Sequence, residues 1–98
     1  MKVITMCGSM RFAKEHQKVA EELEFKKGYC VIQCIYGENG KKYAKDEEVI
    51  LDKIHKQKID ISDAIYIVNI GGYIGSSTKN EIEYAKKHGK EIIYHEKI

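Results

Sequence analysis

The chain has 98 residues, of which 43% are apolar and 33% are charged, and its formal net charge is only +2. This length fits one domain around one modest core, and the apolar fraction is too high for a disordered chain. The near balance of charge lacks the basic excess of a DNA- or RNA-binding protein, and no apolar run approaches the roughly 20 residues that cross a bilayer. We therefore expect no nucleic-acid partner and no membrane partner.

Apolar segments alternate with amphipathic segments along the whole chain. Short apolar runs rich in β-formers predict four strands, at residues 2–7, 29–36, 64–70 and 91–94. Apolar residues at helical spacing predict three helices, at about residues 10–27, 46–59 and 78–88. Ser9 is suited to cap the first helix, while Gly28 and Gly89 are suited to end the first and the third. The element order is therefore β-α-β-α-β-α-β.

This alternation predicts an α/β fold of three layers, with a parallel sheet between two layers of helices. We expect a Rossmann-like or flavodoxin-like arrangement with the strand order 2-1-3-4 in a single domain, residues 1–98. In open sheets of this kind, ligands bind beyond the carboxyl ends of the strands, where the strand order reverses. That point lies between strands 1 and 3, so the loops at residues 8–12 and 71–78 are expected to form a ligand site.

Two of the predicted helices show an apolar face. The face of the first helix comprises Phe12, Val19, Ala20, Leu23 and Phe25, and the face of the second comprises Val49, Ile50, Ile54 and Ile59. A small open sheet also leaves a short edge strand, which together with Val49, Ile50 and Ile54 needs a cover. We therefore expect a homodimer.

The three cysteines, Cys7, Cys30 and Cys34, are odd in number and contain no C-x-x-C pair. They fall in two of the predicted strands, where a buried cysteine behaves as a small hydrophobic residue. A disulfide framework is not expected, and a reducing cytoplasm fits best. Cys30 and Cys34 with His16 or His88 do not give a zinc spacing, and the common nucleotide fingerprints are absent. We therefore expect no metal and no cofactor.

The loop after the first strand has the composition of an anion site. Gly8 lets the backbone approach a ligand, Ser9 offers a hydroxyl and an N–H, and Arg11 can bind phosphate through two N–H groups. The same residues also fit a capped helix with a solvated arginine. The loop after the third strand has three glycines and leads into a helix N-terminus, which favours anions.

Glu81 lies on the first turn of the third predicted helix. Thr78 and Glu81 match a capping box, in which the carboxylate only completes the helix end. A carboxylate here can also attack an anomeric carbon while a second group protonates the leaving group. Candidates for that second role are His55, Asp60 and Asp63, and His55 is favoured by its ordinary pKa near 6.5.

Three segments resemble the nucleoside 2-deoxyribosyltransferase family, which includes deoxynucleoside-monophosphate N-glycosidases: VITMCGSMRF, KIDISDAIYIVN and GGYIGSSTKNEIEYAKKHGKEIIY. The resemblance covers nearly the whole chain and is most specific at residues 77–85, where family members have Gly-Thr-x-x-Glu-x-Gly-Tyr-Ala. It implies that Glu81 is a nucleophile that attacks C1′ of a deoxyribose and releases the base. It also implies that Gly8, Ser9 and Arg11 bind a 5′-phosphate, and that the protein is a homo-oligomer.

Three positions depart from the family pattern. Gly75 and His55 stand where the transferases carry aspartates, and Glu83 replaces a glycine. Loss of these aspartates with retention of the phosphate loop favours a hydrolase over a transferase. The resemblance thus predicts cleavage or transfer of the N-glycosidic bond of a deoxynucleoside or its 5′-monophosphate.

The predicted site combines catalytic and substrate-binding residues. The catalytic candidates are Glu81, His55 and Asp63. The substrate-binding candidates are Gly8, Ser9, Arg11, Phe12, Gly72, Tyr73, Ser77 and Thr78, with Tyr73 placed to stack on the base. The alternative is a non-catalytic nucleotide-binding or sensor module on the same scaffold, which needs both loops but no nucleophile. A structural or interaction protein is a third possibility.

Overall fold

The computed structural model of the protein describes residues 1–35 and 42–97. The strands in these ranges are β1 (Val3–Gly8), β2 (Cys30–Ile32), β3 (Ala64–Val68) and β4 (Glu91–Tyr94). The α-helices are α1 (Ala13–Lys27), α2 (Lys45–Asp60) and α3 (Ser76–Lys87). Short 3-10 helices at Met10–Phe12 and Ile70–Gly72 precede α1 and α3. No helix in the described ranges is long and apolar enough to cross a membrane.

All four strands are parallel and form one sheet in the order β2-β1-β3-β4, which confirms the predicted fold. β1 pairs with β3 from Ile4 opposite Ala64 to Gly8 opposite Val68, so both strands end at the same level. The chain leaves them side by side at the carboxyl end of the sheet. This register brings together the two loops that the sequence assigned to a ligand.

The core lies on both faces of the sheet, because successive side chains of a strand point to opposite sides. Met6 packs on the face covered by α1. Cys7, its neighbour in β1, packs on the other face with Ile59 of α2 and Ile82 of α3. The side chain of Cys7 is therefore directed toward the two helices that carry His55 and Glu81.

Some predicted boundaries and burials differ from the structure. β2 has three residues rather than eight, Cys30 is exposed, and residue 36 lies outside the described residues. Phe25 was expected in the core but is 82% exposed. It follows Leu23 by two positions, about 200° around the helix, so it points away from the sheet. β3 ends at Val68 because the next residues turn into a 3-10 helix.

The buried face of α2 is not the predicted one. It passes through His55 and Ile59, which are one turn apart and both buried. Val49, Ile50 and Ile54 lie to the side of this line and are exposed. The predicted face therefore holds for Ile59 alone. The homodimer, which was argued from the other three side chains, stays a prediction.

Candidate active site

The loops that follow β1 and β3 are in contact at the carboxyl end of the sheet. The guanidinium carbon of Arg11 lies 3.8 Å from the centre of the Tyr73 ring. The Phe12 ring meets the same ring edge-on, with the centroids 6.1 Å apart. Three predicted substrate-binding residues therefore form one cation–aromatic cluster at the point where the strand order reverses, between β1 and β3.

The first of these loops depends on Gly8, the last residue of β1. Its φ of +146° is a conformation that other residues rarely adopt. A Cβ at this position would lie 2.8 Å from His16 Nε2 and 2.9 Å from the Val68 carbonyl oxygen. Ser9 follows in extended conformation, and its hydroxyl oxygen accepts a hydrogen bond from the Arg11 N–H at 3.2 Å. Ser9 therefore caps the 3-10 helix, and α1 itself begins only at Ala13.

The third helix begins earlier than predicted, and this changes the position of Glu81. Gly75 is the N-cap of α3 and Ser76 is its first residue, so Thr78 lies inside the first turn, where it is buried. Glu81 is then the sixth helical residue and lies in the second turn. The predicted capping box of Thr78 and Glu81, with Glu81 in the first turn, is therefore wrong, because the carboxylate contacts other elements instead.

Three side chains from three elements converge at the base of the loops. His55 Nε2 of α2 lies 3.3 Å from Cys7 Sγ of β1 and 3.5 Å from Glu81 Oε1 of α3. The Cys7 side chain is fully buried, and those of His55 and Glu81 are only 11% and 16% exposed. The thiol, imidazole and carboxylate thus form a compact buried cluster, which we call the Cys7–His55–Glu81 cluster.

Burial disfavours the charged form of every group in this cluster. It raises the pKa of Glu81 to about 7 and lowers the pKa of His55 to about 4. Burial also raises the pKa of the Cys7 thiol well above its ordinary value. Near neutral pH, His55 is therefore neutral and able to accept a hydrogen bond, while Glu81 exchanges between acid and carboxylate.

An open cleft of about 900 Å³ leads from the surface to this cluster. Its walls come from both loops, from the start of α3 and from one side of α2. Gly8, Ser9, Tyr73, Ser77 and Thr78 are among the residues that line it. A ligand in the cleft can therefore contact the loops and Glu81 at the same time.

Asp63 is the predicted catalytic residue that the fold does not bring to the cleft. It precedes β3 at the amino end of the sheet, where its Oδ2 accepts a hydrogen bond from the Val3 N–H at 2.8 Å. Cys7 lies opposite Ile67, which puts about 13 Å of strand between Asp63 and the cluster. Asp60, the other acidic candidate, accepts a hydrogen bond from the Tyr84 hydroxyl at 2.6 Å.

Of the remaining predicted residues, Ser77 lines the cleft, and Gly72 directly precedes Tyr73, which also lines it. Gly72 is exposed, with a φ of +79°, and donates its N–H to the Asn69 carbonyl at 2.9 Å. Ser77 is exposed in the first turn of α3. Cys7 was missed as a site residue, because a cysteine in an apolar strand was interpreted as core. Its place next to Gly8 at the end of β1 was the available signal.

No protein-family profile matches the sequence, and no curated protein matches it either. Among solved structures, the chain is similar to the CMP N-glycosidase BcmB of Clostridium botulinum, with a TM-score of 0.58 and 21% sequence identity. The similarity covers 95% of this chain and 70% of that chain. Near-complete coverage at low identity shows a common fold, so this chain shares its α/β architecture with a nucleotide N-glycosidase.

Proposed function

We propose that the protein hydrolyses the N-glycosidic bond of a nucleoside 5′-monophosphate, with Glu81 as the nucleophile. The observation that carries this proposal is the position of Glu81. Its carboxylate lies 3.5 Å from His55 Nε2, nearly buried, at the base of a cleft beneath two glycine-containing loops. A carboxylate so placed can reach the sugar of a ligand whose phosphate and base contact the loops.

The reaction would proceed in two steps. The Glu81 carboxylate attacks C1′, the C1′–N bond breaks, and the base leaves with the bonding electrons and takes up a proton from solvent. A water molecule then attacks C1′, the bond to Glu81 breaks, and the carboxylate is restored. Neutral His55 accepts a hydrogen bond from that water and orients it, and the proton that the water loses passes to solvent. The overall products are the free base and the sugar 5-phosphate.

Arg11 and the α3 N-terminus are the candidates for binding the phosphate. Arg11 lies over the Tyr73 ring at 3.8 Å, next to a residue that lines the cleft, and its guanidinium carries N–H groups that can bind a phosphate in pairs. The first N–H groups of α3, at residues 76–78, and the helix dipole favour an anion at the same end of the cleft. Tyr73 and Phe12 offer the aromatic surface on which a base can stack.

The fold shared with a CMP N-glycosidase supports nucleotide N-glycosidic chemistry as the general class of reaction. His55 stands at the position where the transferases carry an aspartate. This difference favours transfer of the sugar to water rather than to a second base. The preferred base and sugar are therefore best found with a panel of substrates.

Base release from ribo- and deoxyribonucleoside 5′-monophosphates, with the matching nucleosides alongside, tests the proposal directly. We expect release from at least one monophosphate by chromatography, and loss of that release in Glu81→Gln. Glu83→Gln is the matched control, because Glu83 is exposed two positions further along α3. Release that persists in Glu81→Gln would overturn the mechanism.

The same samples distinguish the enzyme from a nucleotide-binding module. A rise in melting temperature with a monophosphate, without base release, would indicate binding alone. If the samples show neither base release nor a rise in melting temperature, a nucleotide is not the ligand of the cleft.

A further inference from the structure

The Cys7–His55–Glu81 cluster has a property that hydrolysis does not use. Its three donor atoms, one sulfur, one nitrogen and one oxygen, all lie within 4.8 Å of one another. They come from β1, α2 and α3, so the packing of the core holds them in place. We propose that Cys7 Sγ, His55 Nε2 and a Glu81 oxygen form a binding site for a zinc-class divalent cation.

Two of the three distances between the donors fit a tetrahedral ion. Zinc bonds of about 2.3 Å to sulfur and 2.0–2.2 Å to nitrogen and oxygen place neighbouring ligand atoms about 3.3–3.6 Å apart at tetrahedral angles. The observed separations are 3.3 Å from Cys7 Sγ to His55 Nε2, and 3.5 Å from His55 Nε2 to Glu81 Oε1. The third pair, Cys7 Sγ and the Glu81 oxygen, lies within 4.8 Å.

The donor set selects the kind of metal. Thiolate and imidazole are ligands for zinc and its late transition-metal neighbours, whereas calcium and magnesium require a shell of oxygen atoms. A thiolate and a carboxylate together also balance the charge of a divalent ion, so the buried site becomes neutral overall. On binding, the Cys7 thiol proton passes to solvent as the Cys7 sulfur–metal bond forms.

The geometry leaves a fourth position for water or a ligand. Cys7 is fully buried behind the other two residues, whereas His55 and Glu81 line the cleft. A zinc ion on these three donors thus has its open side toward the cleft, as in sites with three protein ligands. Because the ion would occupy a Glu81 oxygen, it would compete with the attack of Glu81 on a sugar. This last consequence rests on the proposed hydrolase function, but the site itself does not.

Optical titration with Co²⁺ tests the site without any measurement of activity. The chelator-treated, reduced protein would be titrated with Co²⁺, and Zn²⁺ would then be added to displace it. We expect one Co²⁺ per chain, with a thiolate-to-cobalt charge-transfer band and the visible bands of a tetrahedral site.

Cysteine variants identify the thiolate. Cys30→Ser with Cys34→Ser leaves Cys7 as the remaining cysteine of the three, and this double variant should keep both the band and the stoichiometry. Cys7→Ser should lose the band and weaken Zn²⁺ binding by about 100-fold. Absence of the band in the double variant, or its persistence in Cys7→Ser, would overturn the proposal. The double variant gives this answer even where Cys7→Ser fails to fold.

Glu81→Gln tests the third ligand. It should keep the thiolate band but weaken Zn²⁺ binding by about tenfold or more. Unchanged affinity would exclude Glu81 as a ligand and overturn the three-residue site. In wild type, Zn²⁺ should inhibit base release. A protein that binds Co²⁺ without releasing base would refute the hydrolase and keep the metal site, while release with no Co²⁺ band would do the reverse.

Discussion

The amino and carboxyl ends of the sheet both hold polar side chains, but they use them in different ways. At the amino end, Asp63 is exposed and accepts a hydrogen bond from the Val3 N–H, so it joins β3 to β1. At the carboxyl end, Glu81 and His55 are almost buried and face each other beside a cleft. A carboxylate that caps backbone stabilises the fold, whereas one that is buried beside another titratable group is available to a ligand.

The largest expected effects separate these two carboxylates. Glu81→Gln should lower base release by about 1,000-fold or more, because the nucleophile is lost. It should leave the melting temperature unchanged or higher, since a neutral amide avoids the cost of a buried charge. Asp63→Ala should retain activity and lose about 1 kcal/mol of stability with its hydrogen bond to Val3. A chromatographic assay measures base release by both variants, and thermal unfolding measures their stability.

Loss of activity in Asp63→Ala at full stability would reverse the comparison. It would return Asp63 to the catalytic role that the sequence suggested. That result would also require the amino end of the sheet to take part in the reaction.

Two glycines at opposite ends of the sheet allow a second comparison. Gly8→Ala should cost about 3 kcal/mol, because its Cβ would meet the Val68 carbonyl oxygen at 2.9 Å in a backbone conformation of positive φ. Gly28 also has a positive φ, +69°, but a Cβ there would meet no atom within 4 Å. Gly28→Ala should therefore lower the free energy of unfolding by about 1 kcal/mol. Denaturant unfolding measures both. Equal losses would mean that close packing at Gly8 has no energetic weight.

A buried histidine beneath the Gly8 loop should make stability depend on pH. Burial lowers the pKa of His16 from 6.5 to about 4, with a smaller opposing effect of Glu15. At a pH between these two values, His16 binds a proton in the unfolded chain but not in the folded protein. Stability should therefore fall as the pH drops from about 6.5 to about 4, by up to about 3 kcal/mol from this group.

The variant His16→Gln isolates this contribution from those of other groups. The difference in unfolding free energy between wild type and His16→Gln should shrink as the pH falls through that window. His88→Gln is the control, since His88 is exposed at the far end of α3. A difference that is constant with pH would show that His16 keeps its ordinary pKa in the fold.

The sequence was sufficient for most of the fold because local patterns and tertiary packing agree there. The alternation of elements led to the strand order, and Gly28 ends α1 with a left-handed φ as its position predicted. The last strand, Glu91–Tyr94, was predicted at its observed bounds. The prediction of the apolar face of α2 failed, because helical spacing alone does not reveal that the buried side of the helix runs through His55 and Ile59.

The site was less predictable because its contacts join distant segments. Local pattern put the start of α3 at Thr78, but packing buries Thr78 and lets the helix begin two residues earlier. Cys7 and His55 are 48 residues apart in sequence, so no spacing rule connects their 3.3 Å contact. The topology alone predicted the meeting of the loops that carry Arg11 and Tyr73.

The smallest expected effect is that of Arg11→Ala. This variant compares a cationic side chain at the carboxyl end of the sheet with one at the amino end, Lys2. Arg11→Ala should raise KM for a 5′-monophosphate by about tenfold with little change in kcat, because a phosphate contact is made equally in the ground and transition states. The matching nucleoside should be affected much less. Lys2→Ala is the control, since Lys2 pairs with Glu91 at 2.7 Å at the amino end. An equal loss for nucleoside and monophosphate would mean that Arg11 acts by holding Tyr73 in place, not by binding phosphate.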